Sequence, residues 1–310
     1  MTLASHRPVD GWSIVRRRVS ELVATGGRLL VVTDFDGTLA RIPLDPMAAR
    51  IEPLGRLALR RLARLEAADP ERLRTVVLSG RAVIDLATRV RVGGIGYLGD
   101  HGLQSGTLAR GVPAERLKTI VDPALDRYIP IAQDHGRAVA AALGDPDWLF
   151  VEDKGPSVAF HYRAARQPAA AGRRVAAAVE DRLRAEGGAP TTPAGGGLVR
   201  FDGRRIVELR PPGTGGKGAA VAGLLEREPF GAALVLGDDR SDAEAFGAVA
   251  TALTAGRLRA GLSIAVHGAS ETPAEVAGSA DLMVAAPADA ARVLALVARI
   301  LEREGRRRPV

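Results

Sequence analysis

Arg28-Leu29-Leu30-Val31-Val32-Thr33-Asp34-Phe35-Asp36-Gly37-Thr38 is the stretch that decides the fold. Its apolar run is short and rich in β-branched residues, so it reads as a strand rather than a helix. The absence of polar alternation implies burial on both faces, the condition of a strand in a parallel sheet covered by helices. The run stops at two carboxylates and a glycine. Parallel sheets of this kind bind ligands at the carboxyl ends of their strands, so the stop is a candidate site.

Further along, Leu54, Leu57, Leu62 and Leu65 recur at helical spacing and predict a helix over 54–67. Thr75-Val76-Val77-Leu78 is a second buried strand, stopped by Ser79-Gly80-Arg81. Another helix and a short strand through Tyr97-Leu98 follow. This β-α-β-α-β order predicts a doubly wound, Rossmann-like α/β core. The same style returns near residue 213. Leu234-Val235-Leu236 ends at Gly237-Asp238-Asp239, and Ser263–Val266 and Asp281–Val284 are further strands.

The intervening segment has another grammar. Residues 122–143 and 170–186 read as helices. Leu149–Lys154 and Ser157–Arg163 read as strands joined by Gly155-Pro156. Leu198–Asp202 and Arg204–Arg210 read as a hairpin with Asp202-Gly203 at its turn, and Ala194-Gly195-Gly196-Gly197 as a loop. The expectation is a helical N-terminal extension over 1–27, a core over 28–108 and 212–310, and an inserted α+β domain over 109–211.

Composition narrows the chemistry. The chain has 310 residues, 46% hydrophobic and 25% charged, the balance of a globular protein. It has no Cys, which excludes disulfides, thiolate catalysis and Cys-ligated zinc. Arg16-Arg17-Arg18 leads into no apolar stretch, so no signal peptide is expected, nor is a membrane span. A cytoplasmic location is the expectation. Net charge is +7, but Arg is scattered, with dense runs only at Arg16–Arg18 and Arg306–Arg308. No nucleic-acid partner is expected from so diffuse a footprint. Only Lys118, Lys154 and Lys217 among the 43 basic residues are Lys. A Lys kept in so Arg-rich a chain points to a place that needs a compact ammonium.

Four polar or Gly-rich segments converge in this reading: Asp34–Thr38, Ser79-Gly80-Arg81, Gly213-Thr214-Gly215-Gly216-Lys217-Gly218 and Gly237–Asp242. Clustered carboxylates repel one another unless a cation neutralises them, and oxygen ligands alone select a hard ion such as Mg²⁺. One of Asp34 and Asp36 can attack phosphorus while the other moves protons. Ser79 and Lys217 can hold phosphoryl oxygens, and backbone N–H groups near Gly37 can cradle them. Each segment alone is weak: Asp-x-Asp-Gly-Thr could be a turn, and Gly237-Asp238-Asp239 a helix start. Their order and common placement after strands carry the argument.

Together these segments resemble the four motifs of the haloacid-dehalogenase superfamily. The resemblance implies Asp34 as nucleophile, Asp36 as general acid/base, and Ser79 and Lys217 as phosphate contacts. It further implies a metal site built from Asp34, the Asp36 backbone carbonyl and Asp238, supported by Asp242, with an insert resembling a C2-type cap. Thr38, Gly80, Arg81 and His101 are expected around the substrate. The insert narrows the resemblance. Val151-Glu152-Asp153-Lys154-Gly155, Ser157–Arg163, Val207-Glu208-Leu209-Arg210-Pro211 and Gly99-Asp100-His101-Gly102 are similar to the trehalose-6-phosphate phosphatase family. Ser241 stands where Thr is usual and Ala243 where an acid is common.

That resemblance implies hydrolysis of trehalose 6-phosphate to trehalose and phosphate with Mg²⁺, by a monomer working alongside a trehalose-phosphate synthase. Alternatives are a phosphatase of another sugar phosphate (sucrose or mannosyl type), a sugar phosphomutase, or a silent module regulating a synthase. The residues add a derived element. Strand alternation puts Glu152 with Lys154, His161 with Arg163, and Glu208 with Arg210, each pair on one face opposite apolar neighbours. Such a face can bind sugar hydroxyls, and the resemblance implies that it closes over the core site.

Overall fold

A computed structural model describes residues 11–185, 197–203, 205–267 and 274–306. The loop expected at 194–197, Arg204 and the end of the basic tail fall wholly or partly outside them. The chain divides into two compact units. The larger comprises the described residues of Met1–Ile42, Ala49–Ile120 and Gly215–Val310; the smaller comprises Pro43–Ala48 and those of Val121–Thr214.

The larger unit is built on an eight-stranded sheet. Its strands are β1 (Leu29–Thr33), β2 (Leu73–Leu78), β3 (Gly96–Gly99), β4 (Gln104–Thr107), β5 (Ile120–Val121), β10 (Ala232–Gly237), β11 (Ala260–Val266) and β12 (Leu282–Val284), in the order β12-β11-β10-β1-β2-β3-β4-β5. From β12 to β3 neighbouring strands pair in parallel; β4 runs antiparallel to β3. The alternating sides of β1 explain its unbroken apolar sequence. Leu29 and Val31 enter one hydrophobic core, Leu30 and Val32 the other. The first core is closed by α1 (Trp12–Ala24), α2 (Pro53–Ala68), α3 (Val83–Val90) and α9 (Pro287–Gly305). The second is closed by α6 (Lys217–Arg227), α7 (Arg240–Thr254) and α8 (Ala274–Ser279).

Two sequence expectations need correction here, and two strands were missed. Helix α1 is no extension: Val15, Val19, Leu22 and Val23 are buried in the first core. The core also runs on past residue 108, to Ile120. Strands β4 and β5 were not anticipated, because Gln-Ser-Gly-Thr and a two-residue strand carry no hydrophobic pattern to read.

The smaller unit has one antiparallel sheet, β6 (Phe150–Asp153), β7 (Val158–His161), β8 (Val199–Gly203) and β9 (Ile206–Arg210), ordered β6-β7-β9-β8. Helices α4 (Ile129–Leu143) and α5 (Pro168–Ala185) cover one face. Val158, Phe160, Val207 and Leu209 point into that core. Register puts Glu152, Ala159, Glu208 and Phe201 side by side on the other face. Gly203 and Ile206 are register partners, so Asp202-Gly203 lies within β8 and not in the turn, and Arg205 adopts φ +60° beside it. Residues 122–128 form a 3₁₀ turn rather than the start of the helix, with Asp122 capping it through Ala124 N.

Candidate active site

Asp34 follows β1, Ser79 follows β2 and Asp238 follows β10, so three neighbouring strands deliver side chains to one sheet edge. Lys217 is the first residue of α6. An ammonium at the positive end of a helix dipole is unfavourable unless acids surround it. Here they do. Its Nζ donates to Asp34 Oδ1 at 2.8 Å and Asp242 Oδ1 at 2.9 Å, and lies 3.9 Å from Asp239 Oδ1. Asp34, Asp238, Asp242 and Lys217 are all buried.

Local sequence explains the positions. Asp239 caps α7: its carboxylate accepts from Asp242 N, while Asp242 Oδ2 accepts from Asp239 N at 3.1 Å and Asp238 N at 3.0 Å. This reciprocal capping box fixes the Asp242 side chain. Gly237 is required there, since a Cβ on it would fall 2.1 Å from Asp242 Cγ. Gly37 has φ +83°, and a Cβ would meet Asp238 Oδ2 at 2.1 Å. Only glycine permits both the conformation and the contact.

Burial pushes the Asp34 carboxyl up to about 6 against the pull of Lys217, and the Asp239 and Asp36 charges add to the rise. Burial raises Asp242 likewise. For Lys217 burial acts downward, but Asp242, Asp34 and Asp239 outweigh it and hold the ammonium well above its ordinary value. One ammonium does not balance the carboxylates of Asp34, Asp238, Asp239 and Asp242. Ligand oxygens of Asp34, Asp238 and Asp242 lie within 4.8 Å of one another. This dense, all-oxygen donor set fits a hard divalent cation.

Asp36 stands apart from that cluster. Both its carboxylate oxygens accept from Arg81, from Nε at 2.6 Å and Nη2 at 2.8 Å. Arg81, expected against the substrate, also donates to Asp85 at 2.8 Å, and Asp85 accepts in turn from Arg89. Burial alone would lower the Arg81 guanidinium, but Asp36 and Asp85 together hold it above its ordinary value. Sequence reading missed Asp85, although its spacing four residues after Arg81 is a usable signal. Ser79 is buried with its Oγ accepting from Arg81 N at 3.3 Å. The His101 ring packs where a Cβ of Gly80 would stand, 2.7 Å from Nε2. Thr38 is fully buried, its Oγ1 at 3.5 Å from Asp238 Oδ1.

The substrate-contacting residues expected in the insert form two groups on the helix-free face of their sheet. Glu152 Oε2 and His161 Nε2 are 2.8 Å apart. Lys154 Nζ donates to Glu208 Oε1 at 2.5 Å, and Arg210 Nη2 lies 3.1 Å from Glu208 Oε2 and stacks on Phe201. Lys154, Glu208 and Arg210 are buried. Two expectations fail in detail. Lys154 and Arg163 lie beyond the ends of β6 and β7, so strand alternation does not place them. Arg163 Nη1 donates to the Pro43 carbonyl at 3.2 Å. The face also carries Phe150, Ile206 and Phe201, so it is mixed rather than polar.

Comparison with known proteins adds an independent finding. The family profile described as Trehalose-phosphatase matches residues 32–282. The trehalose-phosphate phosphatase of Mycobacterium tuberculosis (strain ATCC 25618 / H37Rv) is 33% identical over 224 residues, covering 71% of this chain and 51% of that protein. That of Mycobacterium avium (strain 104) is 37% identical over the same shares. The chain thus spans about half the length of the curated relatives it matches. The solved C-terminal domain of the C. albicans trehalose-6-phosphate phosphatase is similar in fold, with a TM-score of 0.68 at 19% identity. The likeness covers 92% of this chain and 96% of that one.

Proposed function

This chain belongs to the trehalose-phosphatase family, and from that membership we propose that it hydrolyses trehalose 6-phosphate to trehalose and inorganic phosphate. The observation that carries the reading is the buried Asp34–Lys217–Asp242 cluster beside Asp238 at the carboxyl edge of the sheet. Asp34, Asp238 and Asp242, with the Asp36 backbone carbonyl, would hold Mg²⁺. The ion, when bound, neutralises charge on the transferring phosphoryl group.

An Asp34 carboxylate oxygen attacks phosphorus, the bond from phosphorus to the sugar oxygen breaks, and Asp36 supplies that oxygen with a proton. In the second half Asp36 takes a proton from water. The water oxygen attacks the same phosphorus and the bond to Asp34 breaks, which restores the Asp34 carboxylate and returns Asp36 to the protonated form in which it began. Lys217 and Ser79 bind the phosphoryl oxygens through both halves. Because Arg81 engages both Asp36 oxygens, proton transfer requires Arg81 to yield one of them. In the smaller unit, Glu152, Lys154, His161, Glu208 and Arg210 supply donors and acceptors for sugar hydroxyls, and such paired groups reject analogues lacking a hydroxyl.

The test is phosphate release from trehalose 6-phosphate, sucrose 6-phosphate, glucose 6-phosphate and mannose phosphates with Mg²⁺. Trehalose 6-phosphate should lead in kcat/KM. A faster sucrose or mannose ester would reassign the substrate. Isomerised sugar phosphate without phosphate release would identify a mutase.

A further inference from the structure

We propose that a second site, a cleft between α2, the end of α3 and the loop after β4, binds a small ligand carrying several phosphate groups. The cleft has a volume of about 510 Å³, within the range of roughly 300–1,000 Å³ usual for small-molecule sites. Arg60, Arg64, Arg91 and Arg110 line it, against a single acid, Glu115. It is remote from the catalytic carboxylates. Arg81 precedes α3 beside Asp36, whereas Arg91 ends that helix, eight helical residues and about 12 Å farther along its axis.

Three observations make this a built cleft rather than chance surface charge. First, Arg60 and Arg64 are one turn apart on α2, and Arg91 closes α3 in the left-handed conformation at φ +55°, which non-glycine residues adopt at a cost. Second, the chain is closely packed behind them. Gly94 N donates to Leu108 O at 2.7 Å, and a Cβ on Gly93 would meet Ala109 O at 2.4 Å, so glycine is what lets the Arg110 loop approach. Third, the charges are not neutralised locally. None of the four arginines forms an ion pair with an acid among the described residues. Glu302, which feels Arg64, is already held by Arg61 through two hydrogen bonds. The neighbouring Arg56 is lowered by burial and further by the charges of Arg60 and Arg91.

Four guanidiniums lining one cleft repel one another, and the guanidinium fork pairs best with carboxylate or phosphate oxygens. An anion with several charged groups relieves more of that repulsion than a single phosphate does. The limited volume and the absence of aromatic side chains among the described residues that line the cleft favour a small molecule over a nucleic-acid strand, which a long groove with aromatic platforms would suit better.

The experiment is calorimetric titration of the full chain with inorganic tripolyphosphate, in parallel with orthophosphate, adenosine triphosphate and a single-stranded RNA. The double variant Arg60→Gln with Arg64→Gln touches exposed residues outside the catalytic cluster. It should keep the wild-type melting temperature and phosphatase rate. It should lose tripolyphosphate affinity by about tenfold or more, the value of one charge-assisted contact. Orthophosphate should bind at least about tenfold more weakly than tripolyphosphate on the same reasoning. Equal affinity of tripolyphosphate and adenosine triphosphate assigns recognition to the phosphates alone; tighter binding of the nucleotide identifies a nucleotide site. Unchanged affinity in the double variant, orthophosphate binding as well as tripolyphosphate, or RNA binding more tightly than either polyphosphate each overturns the proposal.

Discussion

Arg81 holds Asp36 with two hydrogen bonds, at 2.6 and 2.8 Å, and is itself anchored by Asp85 at 2.8 Å. The side chain proposed to carry protons is therefore positioned, through Arg81, by Asp85, which touches no proposed reacting atom. Asp85→Asn keeps the size of the anchor and removes its charge. We expect kcat for trehalose 6-phosphate to fall about tenfold or more with little change in KM, as misplacement of a reacting group does. Steady-state kinetics on the folded variant decide this. A rise in KM alone would assign Arg81 to substrate binding instead.

Asp34→Asn should abolish turnover by more than about a thousandfold, because an amide is a poor nucleophile. The carboxamide also removes one of three close carboxylates, so the fold should persist or gain stability without metal. Circular dichroism and phosphate release on the same preparation check both halves. Retention of a hundredth of wild-type activity, as an order-of-magnitude threshold, would exclude a covalent role.

The raised Asp34 carboxyl gives a pH signature. A folded-state value of about 6, above the ordinary carboxylate range, means that its contribution to stability is complete in acid and is lost as pH rises through 6. A bound cation favours the ionised carboxylates and reverses that loss. Mg²⁺ should therefore raise the melting temperature more at about pH 7.5 than at about pH 5, where protons compete with it. A Mg²⁺ shift equal at the two values would remove Asp34 from the metal site.

Lys217→Ala leaves buried Asp34 and Asp242 facing each other without their shared cation. The loss should be about 3–5 kcal/mol of stability as well as activity, the usual result of breaking a buried pair. Lys217→Arg restores charge but not shape, and should recover stability more than kcat. Urea melts and kcat, compared across the two variants, separate the roles. An arginine variant with wild-type kcat would reduce Lys217 to a generic positive charge.

In the smaller unit, Glu152→Gln should cut kcat/KM for trehalose 6-phosphate while leaving hydrolysis of a small artificial phosphate ester nearly unchanged. Glu152 is the better probe than Lys154, whose ammonium is buried against Glu208 and whose loss would also remove one of that carboxylate's two cations, leaving Arg210. Equal losses on both esters would give the face a structural role and leave sugar selection to other residues.

The sequence by itself determined the fold class and the carboxyl-edge motifs. Hydrophobic runs such as Leu29–Thr33 and Ala232–Gly237 report burial on both faces, and short motifs at their ends are local in the chain. Gly37 was legible as part of a turn and Gly237 as part of a helix start, but the carboxylates they make room for were not. What only the tertiary structure decided depends on residues far apart in sequence. The Lys217 ammonium reaches the proposed nucleophile Asp34, 183 residues away. Arg81 turns to Asp36 rather than to solvent. Lys154 and Arg163 lie past the last registered strand pairs, at Asp153 and His161, so alternation along a strand does not place them. The arginines at 60, 64, 91 and 110 look scattered along the chain, and only the packing of α2 against the end of α3 and the loop after β4 makes them one charged cleft. Periodicity records which way a side chain faces its own backbone; it holds no record of which distant charge it will meet, and in this protein those meetings set the chemistry.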